Sequence, residues 1–183
     1  MTKFKSILNE NVLYHGTRYD FTRFDLNKVG TGTEVNKYGH GLYFIDNEEG
    51  ARYYAKQSTP VGQQRDGMYL YAVRIAYSRD FPNWDDHISL SIHEDAIEWL
   101  ERRGSEFAEI MRDEYESYHE TETVSGLYST LVAELGNPKR ASKAMVDIGI
   151  DGVKVTGSPW TKGTIYVVFN DDLIRMVSRE KFH

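Results

Sequence analysis

Strand-like sequence occupies both ends of this 183-residue chain and helix-like sequence its middle, and that order limits the fold more than any single motif does. Val12-Leu13-Tyr14, Gly41-Leu42-Tyr43-Phe44-Ile45 and Met68 to Ile75 are β-branched and aromatic runs bounded by Gly, Asp and Asn, the pattern of short strands. Runs of the same kind return at Gly152-Val153-Lys154-Val155 and Thr164 to Phe169. Asn47 ahead of Glu48 and Glu49 predicts a helix reaching about Gln57, with a good cap and acids where the helix dipole favours them. Ser91-Ile92-His93-Glu94 has capping-box spacing and opens an apolar stripe of Ala96, Ile97 and Leu100. Further helices are predicted over Glu106 to His119, over Gly126 to Leu135, and from Asn137, with Pro138 at the first helical position, to Gly149. Strands at both ends with helices between predict an α+β fold whose sheet draws on both termini. No repeat or low-complexity segment divides the chain, so residues 1–183 read as one domain.

Charge and composition exclude several functions. With 22 Lys+Arg against 28 Asp+Glu the net charge is −6, which does not suit a sequence-independent coat on duplex DNA. There is no cysteine, hence no disulfide, thiolate metal site or cysteine nucleophile. The histidines (His15, His40, His87, His93, His119, His183) never pair at metal-ligand spacing, so no metal is expected. No apolar run approaches the roughly 18 residues of a membrane span. Met1 to Asn11 is polar, with two lysines and no signal-like apolar core, so a cytoplasmic setting is expected. Phosphate-loop, dinucleotide-fingerprint, zinc-protease and serine-hydrolase motifs are all missing.

Three segments stand out against that background. Tyr14-His15-Gly16-Thr17 closes the first strand, Tyr38-Gly39-His40-Gly41-Leu42-Tyr43-Phe44 puts Tyr43 28 positions after His15, and Ala51-Arg52-Tyr53-Tyr54-Ala55 follows. Each alone suits core packing. Together they resemble the ADP-ribosyltransferase superfamily, in the His-Tyr-Glu branch that includes diphtheria-like toxins, poly(ADP-ribose) polymerases and phage and mobile-element domains.

The resemblance covers about residues 12 to 77 and 145 to 177, and it implies a split two-sheet core with NAD in the cleft and a helical insertion at about residues 88 to 146. His15 would hydrogen-bond a ribose hydroxyl of NAD, Gly16 would hold the nicotinamide amide with its backbone beside Thr17, and Tyr43 and Tyr54 would stack on the ring. Ala51 stands where polymerases often carry a serine. Met145 to Val153, containing Gly149-Ile150-Asp151-Gly152, is similar to the turn before the last strands of phage-type members. Tyr faces suit a cationic nicotinamide, and Gly lets the backbone come close.

The departure is at the acid. With Tyr166 to Asn170 aligned on the family's final strand, Ile165 occupies the catalytic glutamate position, and an aliphatic group can neither bind the ribose 2′-OH nor take a proton. Chain elongation is therefore not expected. What remains is transfer of a single ADP-ribose with another carboxylate or the acceptor standing in, a catalytically inactive module that binds NAD or ADP-ribose, or a different register for the acid. Other carboxylates are Glu120 and Glu122, at the Glu-x-Glu spacing of the Arg-Ser-Glu toxins, and Asp171 and Asp172, which read as turn residues. A purely structural phage or host-interaction protein is the reading that would leave the cleft empty. The macromolecular acceptor is expected to be a protein slightly ahead of a nucleic acid, met in the host cytoplasm if the chain is phage-encoded. Arg102, Arg103, Lys139, Arg140 and Lys143 are the candidate basic groups and Trp99 and Trp160 the candidate stacking partners.

Overall fold

The longest strand of the sheet, β4 (Met68–Tyr77), pairs along one edge with β2 (Leu13–Thr17) and along the other with β7 (Ile174–Phe182), and its end also pairs with β1 (Ile7–Leu8). Outward from β2 follow β3 (Leu42–Ile45), β6 (Ile165–Val168) and β5 (Gly152–Val155), and all the pairings are antiparallel. This computed structural model describes residues 7–8, 12–29, 37–57, 67–77, 81–113, 122–157 and 163–183. The fold is α+β.

Five α-helices occur among the described residues. The first, α1 (Glu48–Gln57), lies against β2 and β4 through Ala51 and Ala55, whose small side chains let the helix come close. The other four follow one another: α2 (Leu90–Glu101), α3 (Glu106–Asp113), α4 (Val124–Leu135) and α5 (Pro138–Ile148). Asn137 caps α5 by accepting from the Lys139 and Arg140 amides, Pro138 opens it, and Gly149 ends it at φ 102°, as its sequence predicts. The cap of α2 is Ser89, two residues before the expected Ser91, and its hydroxyl accepts from Ile92 N–H. Residues 114–119 of the expected second middle helix lie outside the described residues.

The two faces of the sheet are covered differently. Val153, Val155, Ile165, Val167 and Phe169 pack against an aliphatic layer from α2, α4 and α5 that includes Leu100, Leu127, Leu131 and Met145. On the opposite face Leu13, Phe44, Tyr71 and Val73 meet Phe21 and Phe24 from the segment after β2. The Tyr71 hydroxyl accepts from Phe21 N–H at 2.8 Å and pins that segment to the sheet. β7 was not expected as a strand. It follows a short 3-10 turn at Asp171–Leu173 and pairs with β4 from Ile75↔Ile174 to Met68↔Phe182.

Candidate active site

β2 is joined unequally to its two neighbours. It pairs with β4 from Leu13↔Val73 through Thr17↔Tyr69, whereas its pairing with β3 is limited to Tyr14↔Ile45. A seam therefore opens between β2 and β3 immediately after Tyr14, and it runs past His15 and Gly16 on one side and Tyr43 on the other.

At the mouth of that seam His15 Nδ1 lies 2.8 Å from the Tyr43 carbonyl oxygen. A carbonyl only accepts, so Nδ1 carries the proton, and in the neutral ring Nε2 is an acceptor; the tautomer follows from this partner. The ring is held on the aromatic face, edge-on to Phe24 at 5.4 Å, with Phe44, Phe21 and Tyr71 at 5.9, 6.2 and 6.5 Å. Burial holds its pKa below the ordinary histidine value, against the opposing pull of the Tyr43 carbonyl. A neutral imidazole with Nε2 as acceptor suits a hydroxyl donor.

The next residue has no room for a side chain. A Cβ on Gly16 would sit 1.7 Å from the Ala51 carbonyl oxygen, so glycine is what allows α1 to lie on β2 at all. Thr17 is buried, and its hydroxyl oxygen lies 3.3 Å from the Tyr19 amide that donates to it. Tyr54 packs on the small cluster of Ile45, Ala51 and Leu70 beside Tyr14, whereas its neighbour Tyr53 is largely exposed.

Tyr43 turns its ring away from His15 and packs on the helix-covered layer. Its hydroxyl donates to the Gly39 carbonyl at 2.9 Å and accepts from Tyr38 N–H at 3.0 Å, which fixes the ring along the entry to β3. The seam thus brings His15 together with the Tyr43 backbone, and Gly16 together with α1, while the His15 and Tyr43 rings stand on opposite faces.

Ile165 pairs with Ile45 on one side and Val155 on the other and is 7% exposed within the aliphatic layer. One residue along the same ladder, sequence reasoning missed an acid. Asp46 Oδ1 accepts from Thr164 N–H at 2.9 Å, next to the Ile45–Ile165 pair. Nothing in the local pattern distinguishes Asp46 from an ordinary strand-end residue; only the pairing of two segments 118 positions apart reveals it. Asp171 accepts from Leu26 N–H through Oδ2, and with Asp172 it lies in the 3-10 turn, as turn residues should. Glu122 is partly buried ahead of α4, and Glu120 is outside the described residues.

The expected stacking partners fare differently. Trp99 is 4% exposed, donates from Nε1 to Asp147 at 3.3 Å and lies under the Arg103 guanidinium at 3.5 Å, so its ring offers no open face to a ligand. Trp160 is outside the described residues. Arg102 and Arg103 stand exposed at the end of α2, and Lys139, Arg140 and Lys143 are exposed on α5.

Among the described residues no group of three His, Asp or Glu side chains is placed to hold a metal ion, and no helix is long and apolar enough to cross a membrane. A family model described as "ADP-Ribosyltransferase in polyvalent proteins" matches residues 9–183. No curated protein and no solved structure matches the chain.

Proposed function

From the chain's membership of the ADP-ribosyltransferase family of polyvalent proteins, we propose that it transfers a single ADP-ribose from NAD to a macromolecular acceptor and releases nicotinamide. The observation that carries this reading is the seam at His15. Its neutral imidazole, bonded through Nδ1 to Tyr43, turns an acceptor nitrogen to a ribose hydroxyl beside the Gly16 backbone. In this reading the β2–β3 seam divides a split two-sheet core, NAD lies along it, residues 88–146 are the helical insertion, and Tyr43 and Tyr54 border the nicotinamide.

The residues at the seam fit the ribose and amide of NAD better than they fit the acid step. In the transfer, the bond from ribose C1′ to nicotinamide breaks with its electron pair leaving on nicotinamide. The acceptor nucleophile bonds to C1′ and gives its proton to solvent or a base. A carboxylate normally steadies the positive charge that develops on the ribose, and Ile165 cannot. Asp46, carried beside Ile165 by the β3–β6 ladder, is the carboxylate we assign to that role.

A second reading, a non-catalytic module that binds NAD or ADP-ribose, is favoured by the aliphatic and buried Ile165. Nicotinamide release on incubation with NAD separates the two. Release that falls at least tenfold in Asp46→Asn, which keeps the acceptor oxygen for Thr164 N–H, supports transfer. No release, together with a rise of Tm on adding NAD, supports the binding module. Neither release nor stabilisation defeats both.

A further inference from the structure

Two cavities open at the end of β3 remote from Ile45, and neither is lined by His15, Gly16, Tyr43 or Tyr54. They measure about 650 and 530 Å³ and share His40, Asn137 and Lys139, so they form one bent trough along the start of α5. Each falls in the range that accepts a small organic ligand, roughly 300–1,000 Å³.

The trough differs in charge from the rest of the molecule. Its lining carries Lys37, Lys139, Arg140 and Lys143 against the single acid Asp171, in a chain of net charge −6. Asp171 is already engaged by the Leu26 amide, Lys139 reaches the Asn27 amide oxygen at 2.8 Å, and Lys143 reaches Asp147 at 3.2 Å. The Arg140 guanidinium has no partner among the described residues. A basic trough in an acidic protein concentrates anions locally.

The other wall is aromatic. Trp84 is partly buried with its ring 5.4 Å from that of Tyr128, which in turn stacks on Phe169 at 6.1 Å and 17°. Between the basic and aromatic walls stands the His40 ring, which borders both cavities and lies against the Leu26 backbone.

We propose that this trough binds a nucleotide unit, its phosphate on the Lys139, Arg140 and Lys143 edge of α5 and its base against Trp84. Basic side chains beside an aromatic face are the combination by which proteins hold single strands without reading their sequence. An acidic peptide would use the lysines and leave Trp84 without a role. The site does not depend on transferase activity, although within that reading it would hold a nucleic-acid acceptor.

The test is anisotropy of a fluorescein-labelled ten-nucleotide single strand, with nicotinamide release from NAD and Tm recorded on the same proteins. Three phosphate contacts predict a salt slope of about −2, or roughly an 18-fold loss between 50 and 200 mM salt. Reversing Lys139, Arg140 and Lys143 to Glu should weaken binding at least tenfold with Tm and nicotinamide release unchanged. Trp84→Leu should weaken it several-fold while Trp84→Phe retains it. The same charge change at exposed Lys56, Arg74 and Arg102 should have much the smaller effect. Competition by AMP assigns the site to free nucleotide, and competition by unlabelled strand alone assigns it to nucleic acid. Equal loss in the two charge-reversed proteins, indifference to Trp84→Leu, or equal competition by heparin or poly-glutamate would overturn the nucleotide assignment. Loss of nicotinamide release with strand binding intact would count against the transferase reading and leave this one standing.

Discussion

The two faces of the sheet solve the same burial problem with different materials. The helix-covered face uses mostly Leu, Ile, Val and Met from three helices against Val153, Val155, Ile165 and Val167, with Trp99 and Tyr128 as hydrogen-bonded exceptions. The opposite face uses a short segment after β2, whose Phe21 and Phe24 meet Phe44, Tyr71 and the His15 imidazole. An aliphatic layer has no use for a hydrogen-bonding group. An aromatic one tolerates it, because ring edges and a nearby backbone carbonyl can hold an imidazole. The aromatic face is accordingly the one that holds the His15 imidazole beside the seam.

The sharpest way to break that comparison is to put a charge into the aliphatic layer. Ile165→Glu should cost about 3–5 kcal/mol, the range for an uncompensated buried charge, and urea unfolding at neutral pH measures it. A cost below about 1 kcal/mol would mean that Ile165 borders a wet cleft. Gly16→Ala tests the seat of α1 on β2. Its Cβ would meet a backbone oxygen at 1.7 Å, so α1 must lift from β2, at about 3 kcal/mol, the upper end of the overpacking range. On the aromatic face, His15→Ala should cost about 1–3 kcal/mol by stranding the Tyr43 carbonyl, and it should weaken NAD binding measured by calorimetry. His15→Asn, which keeps a donor for that carbonyl, should recover most of the stability and little of the NAD affinity.

The smallest effect is that of pH. His15 titrates below 6.5 when folded and near 6.5 when unfolded, so the unfolded chain binds more protons between those values. Stability should be level above pH 6.5 and decline as pH falls through 6.5 toward the folded pKa, with a slope below about 1.4 kcal/mol per pH unit from this group. His40 is shifted the same way, chiefly by desolvation, and adds to the decline. His15→Asn should flatten the profile, and an unchanged profile would mean that the imidazole is not held neutral.

Much of this architecture was legible in the sequence where local chemistry decides it. Asn137, Pro138 and Gly149 mark both ends of α5, because caps act over three or four residues. The strand at Leu42–Ile45 follows from its apolar run. β7 was not legible: Ile-Arg-Met-Val-Ser-Arg-Glu-Lys-Phe has no alternation, because Arg175 to Lys181 are all exposed and only pairing with β4 makes them a strand. Of the site, the residues at the seam could be named from their motifs. Their partners could not, because the Tyr43 carbonyl reaches His15 across 28 positions and Ala51 meets Gly16 from a separate helix, just as Asp46 meets Thr164 across 118. The trough was beyond the sequence for the same reason, since Trp84, Tyr128, His40 and α5 come from four separate segments.

β7 also bears on how the molecule behaves at high concentration. A strand laid along β4 offers its own far edge as a template on which another polypeptide could add, the first step toward irreversible clumping. Arg175, Arg179, Glu180 and Lys181 make that template a poor one, since an incoming strand would have to displace charged side chains that already hold partners, Arg179 on Asp20 and Glu180 on Arg52. The irregular sequence that hides the strand from a reader thus guards it against its own kind.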